Sequence, residues 1–225
     1  AENGTATFAG LTATSASAVT GAAISFSSGS LAAVSSAAFN LAAANELQLA
    51  AVGTAVTQNF DSLASTGTSG LMPLGWFFVE TGTGANTTYA AGTGSSNSGN
   101  TYSFGADAST ERALGGLRSG SVIPVIGAKI RNTTGANLTD LVISYVGEQW
   151  RLGASGRADR LDFEFSTNAT SLSDGTWPPA PTLNFTAPIS TGIAGALNGN
   201  DATNRVAVNG TVQNLSLANG AVLWI

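Results

Sequence analysis

Leu161-Asp162-Phe163-Glu164-Phe165-Ser166 is the clearest alternation in the chain. Successive side chains of a strand point to opposite faces, so Leu161, Phe163 and Phe165 share one face, and Asp162 and Glu164 share the other. One apolar face and one charged face is the pattern of an antiparallel strand lying over a core. Upstream, Pro73-Leu74-Gly75-Trp76-Phe77-Phe78-Val79-Glu80 reads as a turn into a strand, and Thr101-Tyr102-Ser103-Phe104 as a short alternating strand. Between them, residues 81–100 are rich in Gly, Ser, Thr and Asn and read as loop. Residues 122–130 and 138–150 are longer strand candidates around the turn Asn132-Thr133-Thr134-Gly135. Downstream, Trp177-Pro178-Pro179-Ala180-Pro181 interrupts the pattern, because proline has no N–H to give to a ladder. Strands resume at residues 206–212 and 221–225. Short strands joined by Gly-rich turns describe an all-β sandwich or barrel. The expected interior is Trp76, Phe78, Phe104, Ile143, Tyr145, Leu161, Phe163 and Phe165.

Residues 1–58 have a different texture and are read as a β-rich N-terminal extension to a domain over 59–225. They are built from Ala, Ser, Thr, Gly, Val and Leu, with Glu2 and Glu46 as their only charges and neither proline nor tryptophan. Thr5-Ala6-Thr7-Phe8, Leu11-Thr12-Ala13-Thr14 and Ala22-Ala23-Ile24-Ser25-Phe26-Ser27 carry small, strand-like side chains, with Ile24 and Phe26 on one face. Leu31 to Leu49 mixes helical spacing with alternation, and its density of Ser and Thr favours strand.

Composition excludes several kinds of chemistry. The chain has 225 residues, no cysteine and no histidine, and a single lysine, Lys129. Thiolate metal sites, disulfide exchange and a cysteine nucleophile are therefore absent, and so is the commonest general base. A serine nucleophile would need a lysine base, and Lys129 has no Ser-x-x-Lys pattern near it. Charged residues make up 9% of the chain, against roughly 25% in ordinary soluble domains. The net charge of -5 leaves no basic stripe for nucleic acid. No apolar run approaches the ~20 residues needed to span a bilayer. A surface of Ser, Thr, Asn and Gly suits an extracellular or cell-surface protein, and Ala1-Glu2-Asn3 reads as a mature N-terminus left by signal cleavage.

Charge concentrates in residues 148–164. Glu148, Trp150, Arg151 and Arg157 read as a ligand-binding face, with Trp150 as a stacking platform for a sugar ring and the arginines as donors. The competing reading is a lattice of ion pairs that fixes a loop and a strand pair, for example Arg112 or Arg160 against Asp159 or Glu148. Glu148 with Glu164, or Asp162 with Glu164, are the acid pairs a glycosidase would need. Two acids on one sheet face arise readily by chance, and non-enzymatic function is the expectation. The oxygen ligands in or beside loops include Asp159 and Asp162. They allow one calcium ion as the sole cofactor, although no Asp-x-Asp-x-Asp loop is present.

Several motifs over residues 59–225 carry a resemblance. They are Phe60-Asp61-Ser62-Leu63, Pro73-Leu74-Gly75-Trp76, Tyr102-Ser103-Phe104-Gly105 and Glu111-Arg112-Ala113-Leu114-Gly115-Gly116-Leu117-Arg118-Ser119-Gly120. Gly147-Glu148-Gln149-Trp150-Arg151, Arg157-Ala158-Asp159-Arg160-Leu161-Asp162-Phe163, Gly195-Ala196-Leu197-Asn198-Gly199-Asn200 and Leu223-Trp224-Ile225 complete the set. Together they resemble a domain of exported bacterial proteins that occurs beside PEP-CTERM-type sorting tails and other extracellular modules. The resemblance implies an antiparallel two-sheet, jelly-roll-like sandwich with no settled activity, and a further strand beyond Leu223-Trp224-Ile225. An open ladder edge attracts another strand. Thr5, Phe8, Leu11, Ile24 and Phe26 are the residues expected to supply one to a neighbouring copy, giving a head-to-tail homo-oligomer or filament. Extracellular glycans are the alternative partner.

Overall fold

The computed structural model describes residues 13, 19–29, 32–41 and 45–225. Its contacts divide the chain into two compact units, Ala1–Asn45 and Glu46–Ile225. Thr5, Phe8 and Leu11 lie outside the described residues. The described structure is all-β apart from two single-turn 3₁₀ helices, Pro181–Leu183 and Ala202–Asn204. None of its helices is long and apolar enough to cross a membrane.

The first unit contains β1 (Val19–Ala22), β2 (Ser25–Phe26), β3 (Val34–Ser35) and β4 (Phe39–Leu41). Among the described residues they pair as two-stranded ribbons, β1 with β4 and β2 with β3. Residues 21–26 alternate as read from sequence, with Ala22, Ile24 and Phe26 half-buried and Gly21, Ala23 and Ser25 exposed. No described residue of this unit with an assigned exposure is buried, and Val34 is 66% exposed.

The second unit runs from β5 (Leu47–Leu49) through β6 (Thr68–Ser69), β7 (Trp76–Thr81), β8 (Tyr89–Gly92), β9 (Asn100–Phe104) and β10 (Ala113–Leu117) to β11 (Ile123–Asn132). It continues with β12 (Leu141–Glu148), β13 (Arg151–Leu152), β14 (Arg160–Leu161), β15 (Phe185–Thr186), β16 (Gly195–Ala196), β17 (Arg205–Val212) and β18 (Val222–Trp224). The arrangement is sandwich-like. One four-stranded sheet has the order β10-β9-β8-β6, and in another β11 carries β18, β5 and β7. β12 pairs with β17 over eight residues. Pairing is mostly antiparallel, but β5 with β11 and β8 with β9 are parallel. Leu47–Leu49, read as part of the N-terminal extension, is thus a strand of the second unit.

The main core gathers Leu183, Phe185, Val208, Val212, Leu217 and Leu223, with Ile143, Tyr145, Phe163 and Phe165 packed against it. Leu183 and Leu223 are fully shielded from solvent. Burying one such side chain contributes about 1.5–3 kcal/mol.

Two sequence expectations need correction. Residues 81–100 contain a strand, β8, whose residues are Tyr-Ala-Ala-Gly. Its small side chains hid it, but Tyr89 is 1% exposed, and its hydroxyl donates to Leu71 O and accepts from Ala64 N–H. The alternation over 161–166 is the second. Only Arg160–Leu161 is a strand, and Leu161 is 46% exposed. Farther on, Asn184 Oδ1 takes the Phe163 N–H that a ladder carbonyl would take, at 2.7 Å. The proline stretch then runs alongside, where Pro178 O accepts from Phe165 N–H and Ala180 N–H donates to Phe163 O. Proline lacks a donor but keeps its carbonyl, so it pairs by accepting.

Candidate functional site

β12 ends at Glu148, and the next three residues turn the chain toward β13. Gln149 makes the turn. Its N–H donates to Asn204 O, its side-chain amide donates to Ile189 O and Arg151 O, and its Oε1 accepts from Ile189 N–H. It is 4% exposed and fully engaged, as a buried amide must be.

Trp150 follows. It is 5% exposed. Its ring stacks on Phe104 with centroids 6.2 Å apart and planes 5° from parallel. Gly199 lies so close that a Cβ there would overlap the indole. The indole N–H donates to Glu148 Oε2 at 2.9 Å. Trp150 therefore presents no open face for a sugar ring to stack on, which corrects the platform role read from sequence. An indole carries large buried area and one donor, and here both are used internally.

Glu148 is half-buried, and burial holds its carboxyl above the ordinary glutamate range. The Trp150 N–H and the Arg205 charge act against that, while the neighbouring Glu111 charge adds to it. Glu111 itself accepts from the Asn200 amide at 2.6 Å. Two acids near one another with one shifted upward is an arrangement that acid–base chemistry uses. The same arrangement follows from anchoring a tryptophan, and Glu148 holds the Trp150 N–H. Glu164, offered as its partner in hydrolysis, is exposed in a bridge with Pro179.

Arg151 turns to the segment between β8 and β9. It donates to the carbonyls of Gly94 at 2.9 Å and Ser95 at 3.1 Å. Gly94 has φ +80°, and a Cβ there would overlap the Trp150 carbonyl, so only glycine suits the position. Arg157 pairs with Asp159 at 3.1 Å and Arg160 with Asp162 at 2.7 Å, all four side chains being substantially exposed. Asp162 also accepts from the Asn184 amide. Asp159 and Asp162, the candidate calcium ligands, thus each hold an arginine. Among the described residues no group of three or more His, Cys, Asp or Glu side chains converges.

The structure also shows charges whose roles the sequence reading missed. Arg112 is 2% exposed and is satisfied by neutral groups, donating to Ser103 Oγ, to the Ser103 carbonyl and to Ala106 O. It pairs with neither Asp159 nor Glu148 among the ion pairs of the described residues. Burial alone lowers its pKa. It borders a small cavity of about 170 Å³ with Ser65, Thr66, Thr93 and Asp107. The second case is Glu46, 7% exposed, which joins Arg131 and Lys129. Burial alone would raise Glu46, but hydrogen bonds and charge from Arg131, then Lys129, bring it below the ordinary value. A signal for this was present. Lys129 and Arg131 are two apart in one strand, so they share a face.

No family model, curated protein or solved structure matches this chain. The motifs quoted above are largely packing positions here: Phe60 stands edge-on to Trp76 at 4.7 Å, Phe77 meets Trp224 at 5.1 Å, and Gly147 lies against Phe185.

Proposed function

We propose that this chain is a non-enzymatic, extracellular structural subunit that assembles with copies of itself, head-to-tail, by β-strand donation from its N-terminal residues. The single observation that carries this reading is the first unit. In and beside its described strands lies a half-buried apolar pair, Ala22 and Ile24, and none of its described residues of assigned exposure is buried. Two-stranded ribbons are marginal in water alone. A neighbouring copy would give them the layer they need, and a head-to-tail contact that does not close makes a filament. The charge content of 9% supports this, since surfaces shared between subunits need no dense coat of charge. The resemblance to exported bacterial domains supports the extracellular setting. A carbohydrate-binding module is less well supported, because Trp150 is enclosed.

Negative-stain imaging and sedimentation of the full chain test the proposal against a variant carrying Ile24→Lys and Phe26→Lys. Filaments are expected for the natural sequence and short oligomers or monomers for the variant. A natural chain that stays monomeric at high concentration, or a variant that polymerises equally well, would sink it.

A further inference from the structure

β12 and β17 form a two-stranded ladder in which the two outer edges are not equivalent. Gln149 N–H donates to Asn204 O in the register that pairs Glu148 with Arg205. In an antiparallel ladder the hydrogen-bonded pairs alternate. Odd-numbered residues of β12 therefore bond to β17, and Val142, Ser144 and Val146 turn their N–H and C=O groups outward. Among the described residues, no group outside this ladder is hydrogen-bonded to them. Their side chains lie on the solvent face, with Val142 77% and Val146 55% exposed. Ile143 and Tyr145 point the other way, into the core.

Natural edge strands are normally guarded by charge, proline, bulges or short length. β17 has such a guard, because Arg205 and Asn209 stand on its outward positions. β11 has another, since Pro124 occupies an outward position there. β12 has neither over Val142-Ile143-Ser144-Tyr145-Val146, and its pairing with β17 is regular throughout.

We infer that β12 is the contact strand of a two-fold interface with a second copy of this chain. The argument is self-complementarity. The outward row reads Val-Ser-Val in either direction, so two antiparallel copies centred on Ser144 place Val142 opposite Val146, Ser144 opposite Ser144, and Val146 opposite Val142. All three are hydrogen-bonded pairs, and both exposed valines gain an apolar neighbour on the same face. At each end Asp140 meets Glu148 of the second copy. Glu148 is already turned onto the Trp150 N–H and lies beside Arg205. The residual repulsion is screened by salt, so the contact should tighten as ionic strength rises. A two-fold contact closes on itself. It is separate from head-to-tail donation, and where both operate it joins two filaments side by side.

The chain has no cysteine, so a single introduced thiol reports the register. In the proposed pairing, Ser144→Cys faces its own copy at about 5.5 Å between Cα atoms, inside the range a disulfide spans. Thr211→Cys lies on the same solvent face but on β17, away from the contact. Under mild oxidation Ser144→Cys should form covalent dimer at least about tenfold faster than Thr211→Cys, because paired thiols experience a millimolar effective concentration. The measurement is made in the natural background and in the Ile24→Lys, Phe26→Lys background, so that failure of strand donation and failure of β12 pairing are read separately. Val142→Lys with Val146→Lys, which alters only exposed side chains, should shift the sedimenting dimer to monomer in the second background. Equal oxidation rates at the two positions, or a dimer that survives both lysines, would overturn the inference.

Discussion

The described parts of residues 1–45 and residues 46–225 are both rich in strand, yet buried side chains are found, among the described residues of assigned exposure, in the longer unit. In the second unit β11 pairs on both edges with three other strands, and Leu183 and Leu223 are removed from water. In the first unit the same alternation of small and apolar residues yields ribbons whose residues of assigned exposure remain in contact with solvent. The difference that the described residues show lies in side-chain size. Alanine and serine give a strand its backbone geometry but little area to bury, and a two-stranded ribbon by itself is marginal in water. Strand conformation and burial are therefore separate properties here, and under the proposed donation the first unit gains its burial from a neighbouring copy.

The largest expected effect breaks the comparison most openly. Leu183→Ala should cost about 2–5 kcal/mol, as full-size deletions in a packed core do. Val34→Ala, at 66% exposure, should stay within about 0.5 kcal/mol. All four tryptophans lie in the second unit, so urea unfolding followed by their fluorescence reads that unit. Comparable losses at the two positions would show that the first unit feeds the same core.

A smaller effect separates the charges by sign. Glu46 is held below the ordinary glutamate pKa by Arg131 and Lys129 against the pull of burial. Its contribution is present above the unfolded pKa and lost as pH falls through the lower folded one. Glu46→Gln should then reduce stability at neutral pH by about 1 kcal/mol, a value kept small by the partly exposed Arg131, and flatten the acid limb. Glu148 is raised by burial first. Its contribution is complete below the unfolded pKa and declines as pH rises through the folded one. Glu148→Gln keeps an acceptor for the Trp150 N–H and removes the repulsion with Glu111, so it should be neutral or slightly stabilising at neutral pH, within about 0.5 kcal/mol. Thermal unfolding of both variants across the acid range checks the opposite signs. Residues 1–45 hold a single charge, Glu2, so this pH dependence belongs to the second unit alone.

Much of the fold was legible because large side chains mark strands. β7, β9, β11, β12, β17 and β18 fall within a residue or a few of the alternations that announce them. β8 was not legible, because Tyr-Ala-Ala-Gly has too little apolar contrast to show period two. The 161–166 alternation correctly placed Phe163 and Phe165 against the core but not Leu161, which is 46% exposed; and the Asn184 side chain that takes the Phe163 N–H is 21 positions away, where local pattern carries no information about it. At the candidate site Glu148 holds the Trp150 N–H, while Arg151 turns to Gly94 and Ser95 and Arg157 to Asp159, and burial decides what the tryptophan does. Whether a tryptophan is a platform or a packing residue depends on Phe104 and Gly199, which are 46 and 49 positions away.

Hydrogen–deuterium exchange measured against protein concentration tests the central claim most directly. Donation to a neighbouring copy protects amides only when a neighbour is bound. Amides of residues 19–41 should exchange freely in dilute solution and become protected as concentration rises, while those of β11 hold constant protection throughout. Protection over 19–41 that is strong and independent of concentration would contradict the account, because the first unit would then be complete within its own chain.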